Sequence, residues 1–337
     1  MSDSDSQSNG DTAGLTLSLE NLSQEGYDLV MADLHEREGS ATLVQIINRL
    51  TASLREGDLP VTRLVVTGDL VLSVNGREDR TGNEYTVERG AGVVAAKTMP
   101  PNADGVVDIL LPAHWLLQVD DPDELASRDE LLQHTAAHEA VHASIHHNGD
   151  EPFDLYRREE LGYATTNYVA MASEQIEEHL AEYLASQATG RRADRSSSDV
   201  EASIDAWQDT LARELPAIPE DDPAYIEKGI RVTFGALHTL WISLAYLAAS
   251  LRRGGGFDDV PSDIEALSGW SQFVAPWWDR YIDLLAQIPM SIDVDIAATD
   301  EVVRNLAEHL HTWADDMGFD FHDVDGGGAF FRIKIWD

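Results

Sequence analysis

Residues 131–149 read LLQHTAAHEAVHASIHHNG, and five of the chain's twelve histidines, His134, His138, His142, His146 and His147, fall inside them. Within this run, His138-Glu139-Ala140-Val141-His142 is an HExxH motif. On an α-helix, positions four apart lie about 40° apart around the axis and about 6 Å along it, so two imidazoles can converge on one tetrahedral ion. Zinc suits nitrogen and oxygen ligands and needs no redox chemistry. Glu139 is rotated about 100° from His138, so it can face a water on the ion without ligating it. That places a general base beside attack on a carbonyl. His134 and His146 differ in direction by about 120° and cannot join the same ion. His134 reads as a supporting or surface residue. His146 and His147 are expected near the helix end, where a cation meets the favourable pole of the dipole.

Upstream of the motif, Asn21 to Glu56 has helical spacing, with Leu43, Ile46, Ile47, Leu50 and Leu54 on one face. From Val61 the pattern turns β-branched. RLVVTGDLVLSVNG (63–76), EYTVERGAGVVAAKTM (84–99) and VVDILLP (106–112) read as strands, the last two forming a hairpin across PPNADG. The motif helix is expected to begin near Ser127 or Asp129. Downstream, Ala170 to Thr189 reads as a second helix stopped at Gly190. Helices follow over 200–215, 223–253, 263–285 and 300–316. The glycine runs at 254–256 and 326–328 read as hinges, and AFFRIKIW (329–336) as a strand returning to the sheet. The class is α+β. The expected organisation is a disordered acidic tail over 1–14, a core over 15–190, a linker over 191–199, and a mainly helical region of unassigned role over 200–337.

A two-histidine site needs a third ligand, and SEQIEEHLAEYLASQATG (173–190) offers Glu174, Glu177, Glu178 and Glu182, with His179 as a nitrogen option. Glu178 and Glu182 are spaced i,i+4. One can ligate while the other, a turn on, orients a ligand histidine. The favoured ligand is Glu178, with Glu182 in support; a solvated acidic face is the competing reading. A donor for a developing oxyanion is also required. Tyr163, Tyr168 and His179 lie in the right part of the chain, though the favoured reading of each is structural, a buried phenol or a helix-face imidazole.

These residues carry a family resemblance. HEAVH followed by Glu178-His179-Leu180-Ala181-Glu182 resembles the gluzincin pattern HExxH…ExxA(D/E/N). HEAVHASIHH is similar to the opening of the motif in ImmA/IrrE-type peptidases, and EEHLAEYLASQATG to the glutamate helix of ArdC-like zincin domains. The likeness covers roughly residues 60–190 and is specific for zincins, not for one family within them. It implies a zincin-like core: a small antiparallel or mixed sheet, an HExxH helix and a glutamate helix. It further implies an edge strand, VVDILLP, along which an extended peptide substrate would lie.

Composition adds habitat and exclusions. The chain has 23 basic residues against 61 acidic ones, a net charge of −38, and only Lys97, Lys228 and Lys334 are lysines. Acid spread along the whole length suits a cytosolic protein of a salt-accumulating halophile, where screening relieves self-repulsion. It disfavours direct nucleic-acid binding, which needs a basic stripe. With no cysteine, thiolate metal sites, disulfides and cysteine nucleophiles are excluded. Val232–Leu251 is twenty residues without a formal charge; the favoured reading is a buried core helix, and the alternative a single membrane span. The expectation is therefore a cytoplasmic zinc metallopeptidase with His138, His142 and Glu178 on zinc, Glu139 as base and a peptide or protein as substrate. The alternative is a zincin-fold regulatory or interaction module whose metal is structural or absent.

Overall fold

The computed structural model describes residues 15–35, 42–54, 61–77, 88–89, 92–93, 95–117, 121–147, 155–191, 195–219, 222, 224–254, 256–292 and 295–334. The expected acidic tail over 1–14 lies outside them. In chain order the elements are β1 (Thr16–Glu20), α1 (Gln24–His35), α2 (Thr42–Leu54), β2 (Thr62–Thr67), α3 (Leu70–Asn75), β3 (Glu88–Arg89), β4 (Gly92–Val93), β5 (Lys97–Thr98) and β6 (Val107–Pro112). Then come α4 (Pro122–His147), α5 (Leu155–Arg158), α6 (Tyr163–Thr189), α7 (Ser197–Glu214) and α8 (Tyr225–Leu251). A short hairpin β7 (Arg252–Arg253) and β8 (Gly256–Phe257) leads to α9 (Ser262–Glu265), α10 (Ala275–Leu285), α11 (Ile296–Asp316), β9 (Phe319–Val324) and β10 (Gly328–Ile333). The class is α+β, mostly helical, with a small mixed sheet.

Strand order in that sheet is β1-β2-β6-β5. The first three strands run parallel, and β5 is antiparallel on β6 with Lys97 opposite Leu110. Alternation divides the sheet faces. Leu64, Val66, Val107, Ile109 and Leu111 meet Leu43, Ile46 and Leu50 of α2 and Leu132, Ala136, Ala140 and Ala143 of α4. Val65 and Leu110 meet Leu70 and Val74 of α3 on the other face. There Asp108 takes paired hydrogen bonds from Arg63 at 2.8 and 2.7 Å and a third from Arg77 at 2.7 Å; Arg77 in turn binds Glu20. A buried carboxylate is tolerable here because two guanidiniums neutralise it.

Several expectations change. LVLSVN is the helix α3 and not a strand, because the Asp69 side chain accepts from Leu72 N and caps it at 2.9 Å. Helix α4 starts at Pro122, and α6 starts at Tyr163, well before Ala170. VVDILLP supplies β6, buried and flanked by β2 and β5; among the described residues the edges of the sheet are β1 and β5, and β5 is the edge beside it. AFFRIKIW supplies β10, which pairs with β9 in a separate hairpin and does not rejoin the sheet. Its turn is made at Gly326 and Gly327, both at positive φ (97° and 88°).

The second core lies among α6, α7, α8, α10, α11 and β9, so residues on both sides of 191–199 share it. Ser196 caps α7 with a capping box through Asp199. Helix α8 carries the uncharged run: it is long and apolar enough to cross a bilayer, yet Leu237, Leu240, Trp241 and Leu244 are buried in this core. Small residues on the facing helices, Ala172, Ala181 and Ala185 of α6 and Ala245, Ala248 and Ala249 of α8, are all buried. The start of α6 is held from far along the chain: Asp323 in β9 accepts from Ala164 N at 2.7 Å, Thr165 N at 3.0 Å and Thr165 Oγ1 at 2.6 Å. A carboxylate there also complements the helix dipole.

Candidate metal centre

One face of α4 (Leu132, Ala136, Ala140, Ala143) packs on the sheet. A second face therefore turns toward α6, and it carries His134, His138 and His142. His138 Nε2 and His142 Nε2 lie 3.0 Å apart. Glu178 Oε2 of α6 is 3.2 Å from the first and 3.6 Å from the second. Four-coordinate zinc with bonds of about 2.0–2.1 Å holds its ligand atoms about 3.3–3.4 Å apart. The three edges straddle that value, and two imidazoles with one carboxylate are a zinc-type donor set. The residues fit the ion.

Behind the ligands stands a row of carboxylates from the same helix. Glu177 Oε1 is 2.6 Å from His142 Nδ1. Glu182 Oε2 is 3.3 Å from His138 Nδ1, close enough to pair with its charge though poorly aligned as a hydrogen bond. The other oxygen of Glu182 is 2.8 Å from His134 Nε2. Each of the two imidazoles thus has a carboxylate at its far nitrogen, hydrogen-bonded at His142 and at charge-pairing distance at His138, which raises its basicity. Burial opposes charge on His138, but hydrogen bonding to Glu178 and Glu182 outweighs it and raises its pKa to about 9. His142 is likewise raised against burial, by the charge of Glu178 and the bond to Glu177. Glu178 is held well below the usual carboxylate range: burial pushes it up, and the two histidines pull it down further. This pocket stabilises positive charge at the point where the three ligand atoms meet.

Glu139 is buried, and its Oε2 accepts from Thr98 Oγ1 of β5 at 2.7 Å. The neighbouring Lys97 has its pKa raised despite burial by the charges of Glu178, Glu139, Glu177 and Glu174. The edge strand therefore supplies both a hydrogen bond to the expected base and a counter-charge to the acidic cluster.

The three proposed oxyanion donors lie elsewhere. Tyr163 is exposed, with its ring against Phe321. Tyr168 is buried among Phe234, Phe321 and His311. His179 faces the second core, its Nδ1 3.3 Å from Ala245 O and its Nε2 3.0 Å from the guanidinium of Arg252, and burial and that cation lower its pKa to about 3. Tyr246 of α8 stands at the site instead: its hydroxyl donates to Glu178 Oε2 at 2.7 Å, and its ring lies 6.0 Å from that of His138. Glu174 is half exposed and pairs with His238.

Sequence reasoning missed Tyr246 and Thr98 and gave Glu177 no supporting role. Tyr246 is the one phenol in an apolar run, SLAYLAAS, where a buried hydroxyl needs a partner. Comparison with known protein families, curated proteins and solved structures finds no match for this chain.

Proposed function

We propose that this protein is a zinc-dependent peptidase of gluzincin type, with a zincin-like arrangement of edge strand, HExxH helix and glutamate helix. The observation that carries the reading is the triangle of His138, His142 and Glu178 with a carboxylate behind each imidazole. Zinc held there would polarise a carbonyl and acidify water. The chain's own groups account for the rest. An extended peptide would lie along β5, the edge strand that holds Glu139 through Thr98. Glu139, steadied by Thr98, accepts a proton from water as the water oxygen bonds to the scissile carbonyl carbon. The carbonyl oxygen gains negative charge, and the Tyr246 hydroxyl donates to it, exchanging Glu178 for the substrate. Glu139 then delivers its proton to the amide nitrogen, and the C–N bond breaks. The acidic composition suits action in a salt-rich cytoplasm.

The test is metal content after purification in high salt. The expected result is one zinc per chain, lost in Glu178→Gln and His142→Ala and kept in Glu139→Gln, with peptide hydrolysis absent from all three variants. A wild-type chain that takes up no zinc when supplied would overturn the enzyme reading and leave the regulatory module. Zinc retained by Glu178→Gln would move the third ligand to another carboxylate.

A further inference from the structure

Many of the described cations of this acidic chain face a carboxylate at close range, among them Arg63, Arg77, Arg158, Lys228, Arg253, Arg304, Arg332 and Lys334. Among the described residues Arg195 does not, and unlike Arg49 and Arg252, which bind uncharged groups away from the site, it stands beside Tyr246. Its guanidinium carbon lies 4.8 Å from the ring centre of Tyr246, and among the described residues its buried Nε has no hydrogen-bond partner. Asp199 senses its charge, but Asp199 is already bonded to Ser196. Lys97, the other cation at the site, is surrounded by the site's own carboxylates. Arg195 is thus a cation left over beside the tyrosine that reaches Glu178.

We propose that Arg195 receives a substrate carboxylate placed one residue beyond the scissile bond, either the free C-terminus of a peptide or an Asp or Glu side chain. The proposal rests on the peptidase reading above. The spacing suits it. The guanidinium stands about one aromatic ring from the hydroxyl that donates to Glu178, and consecutive residues of a peptide are about 3.8 Å apart. The planar fork of arginine binds carboxylate in two parallel bonds, and stacking on Tyr246 fixes its plane. The rest of the surface repels anions, so an acidic substrate needs a local cation to be held. In molar salt the Debye length shrinks to about 3 Å, so only direct contact of this kind discriminates between substrates.

The experiment uses zinc-loaded Glu139→Gln protein, which binds peptide without consuming it, and calorimetric titration in high salt. Probes are one peptide as free acid and as C-terminal amide, and a longer peptide with Glu or Gln at the matching position. Wild-type protein is assayed for hydrolysis of the same four. The expected result is tighter binding of the acid form by about ten- to a hundredfold in at least one pair. That ratio should collapse toward one in Glu139→Gln/Arg195→Gln and be partly kept with Arg195→Lys. Preference in the first pair identifies a terminal carboxylate, and in the second an acidic side chain. Equal affinity within both pairs overturns the proposal, even where the wild type hydrolyses all four and the peptidase reading stands. Absence of both zinc and hydrolysis in the wild type overturns the two together. Should the arginine variants fail to fold, the ratios in Glu139→Gln alone decide.

Discussion

Replacing Tyr246 with phenylalanine removes a single hydroxyl from the site, and the consequences separate two roles. The hydroxyl donates to Glu178 Oε2 at 2.7 Å, a bond to a charged acceptor in a buried setting. Such a bond contributes about 1.5–3 kcal/mol. If its whole value lay in holding Glu178, the loss would appear as zinc affinity weakened by about 10- to 100-fold. The carboxylate, however, keeps both imidazoles, at 3.2 and 3.6 Å, so its position is over-determined without the phenol. Most of the loss should therefore fall in the transition state, where an oxyanion donor contributes about 10²–10³ in kcat. Tyr246→Phe is expected to keep one zinc per chain, to bind peptide with KM within a few-fold, and to lose about a hundredfold in kcat. The assay is steady-state hydrolysis with zinc content measured on the same preparation. Unchanged kcat would refute the donor role, and loss of the zinc itself would assign Tyr246 to the metal site alone.

Glu177→Gln and Glu182→Gln should each weaken zinc binding by about 10- to 100-fold without abolishing it, read by competition with a chelator; undiminished affinity in both would detach the carboxylate row from the metal. His309, buried against Trp241, Trp277 and Tyr281, has its pKa lowered from 6.5 to about 4 by burial and then by Arg280. The unfolded chain therefore binds a proton that the folded chain refuses. Stability is complete above pH 6.5 and falls by about 3 kcal/mol as pH drops to 4. His309→Phe should remove that part of the slope in denaturant titrations at pH 7 and 5, and an unaltered slope would count against it. Asp323→Ala uncaps α6 and should lower stability by about 1–2 kcal/mol. Gly162→Ala should do comparable damage, since a Cβ there would stand 2.2 Å from the Asp323 carboxylate; a thermal melt unchanged in both would show that the cap is dispensable. With a net charge of −38, unfolding on dilution from molar to millimolar salt is expected and measurable by circular dichroism.

Much of the site was legible because its geometry is local. His138 and His142 meet through helical periodicity alone, and Glu178 lies on a helix whose partner is the motif helix itself. Support from Glu182 follows from the same i,i+4 arithmetic. Tyr246 and Thr98 depend on how α8 and β5 dock, which no spacing in the sequence records. The edge was misread for a related reason: VVDILLP has the composition of a fully buried strand, and that is what it is, with the two residues Lys97 and Thr98 left to form the border. LVLSVN looked like a strand because it continues the apolar run of RLVV with two further valines; the Asp69 cap, three residues before its partner amide, was the overlooked signal.

The capping of α6 by Asp323 has a bearing on biosynthesis. The amides it satisfies belong to Ala164 and Thr165, 159 and 158 residues earlier. A ribosome that has already released both ligand helices must still polymerise more than a hundred residues before the glutamate helix receives its cap, and Tyr246 arrives only partway through that interval. Helix formation during synthesis can place His138, His142 and Glu178 near one another, but the finished centre waits for the hairpin. The proposed metal centre would then be completed late, once the β9–β10 hairpin has been made.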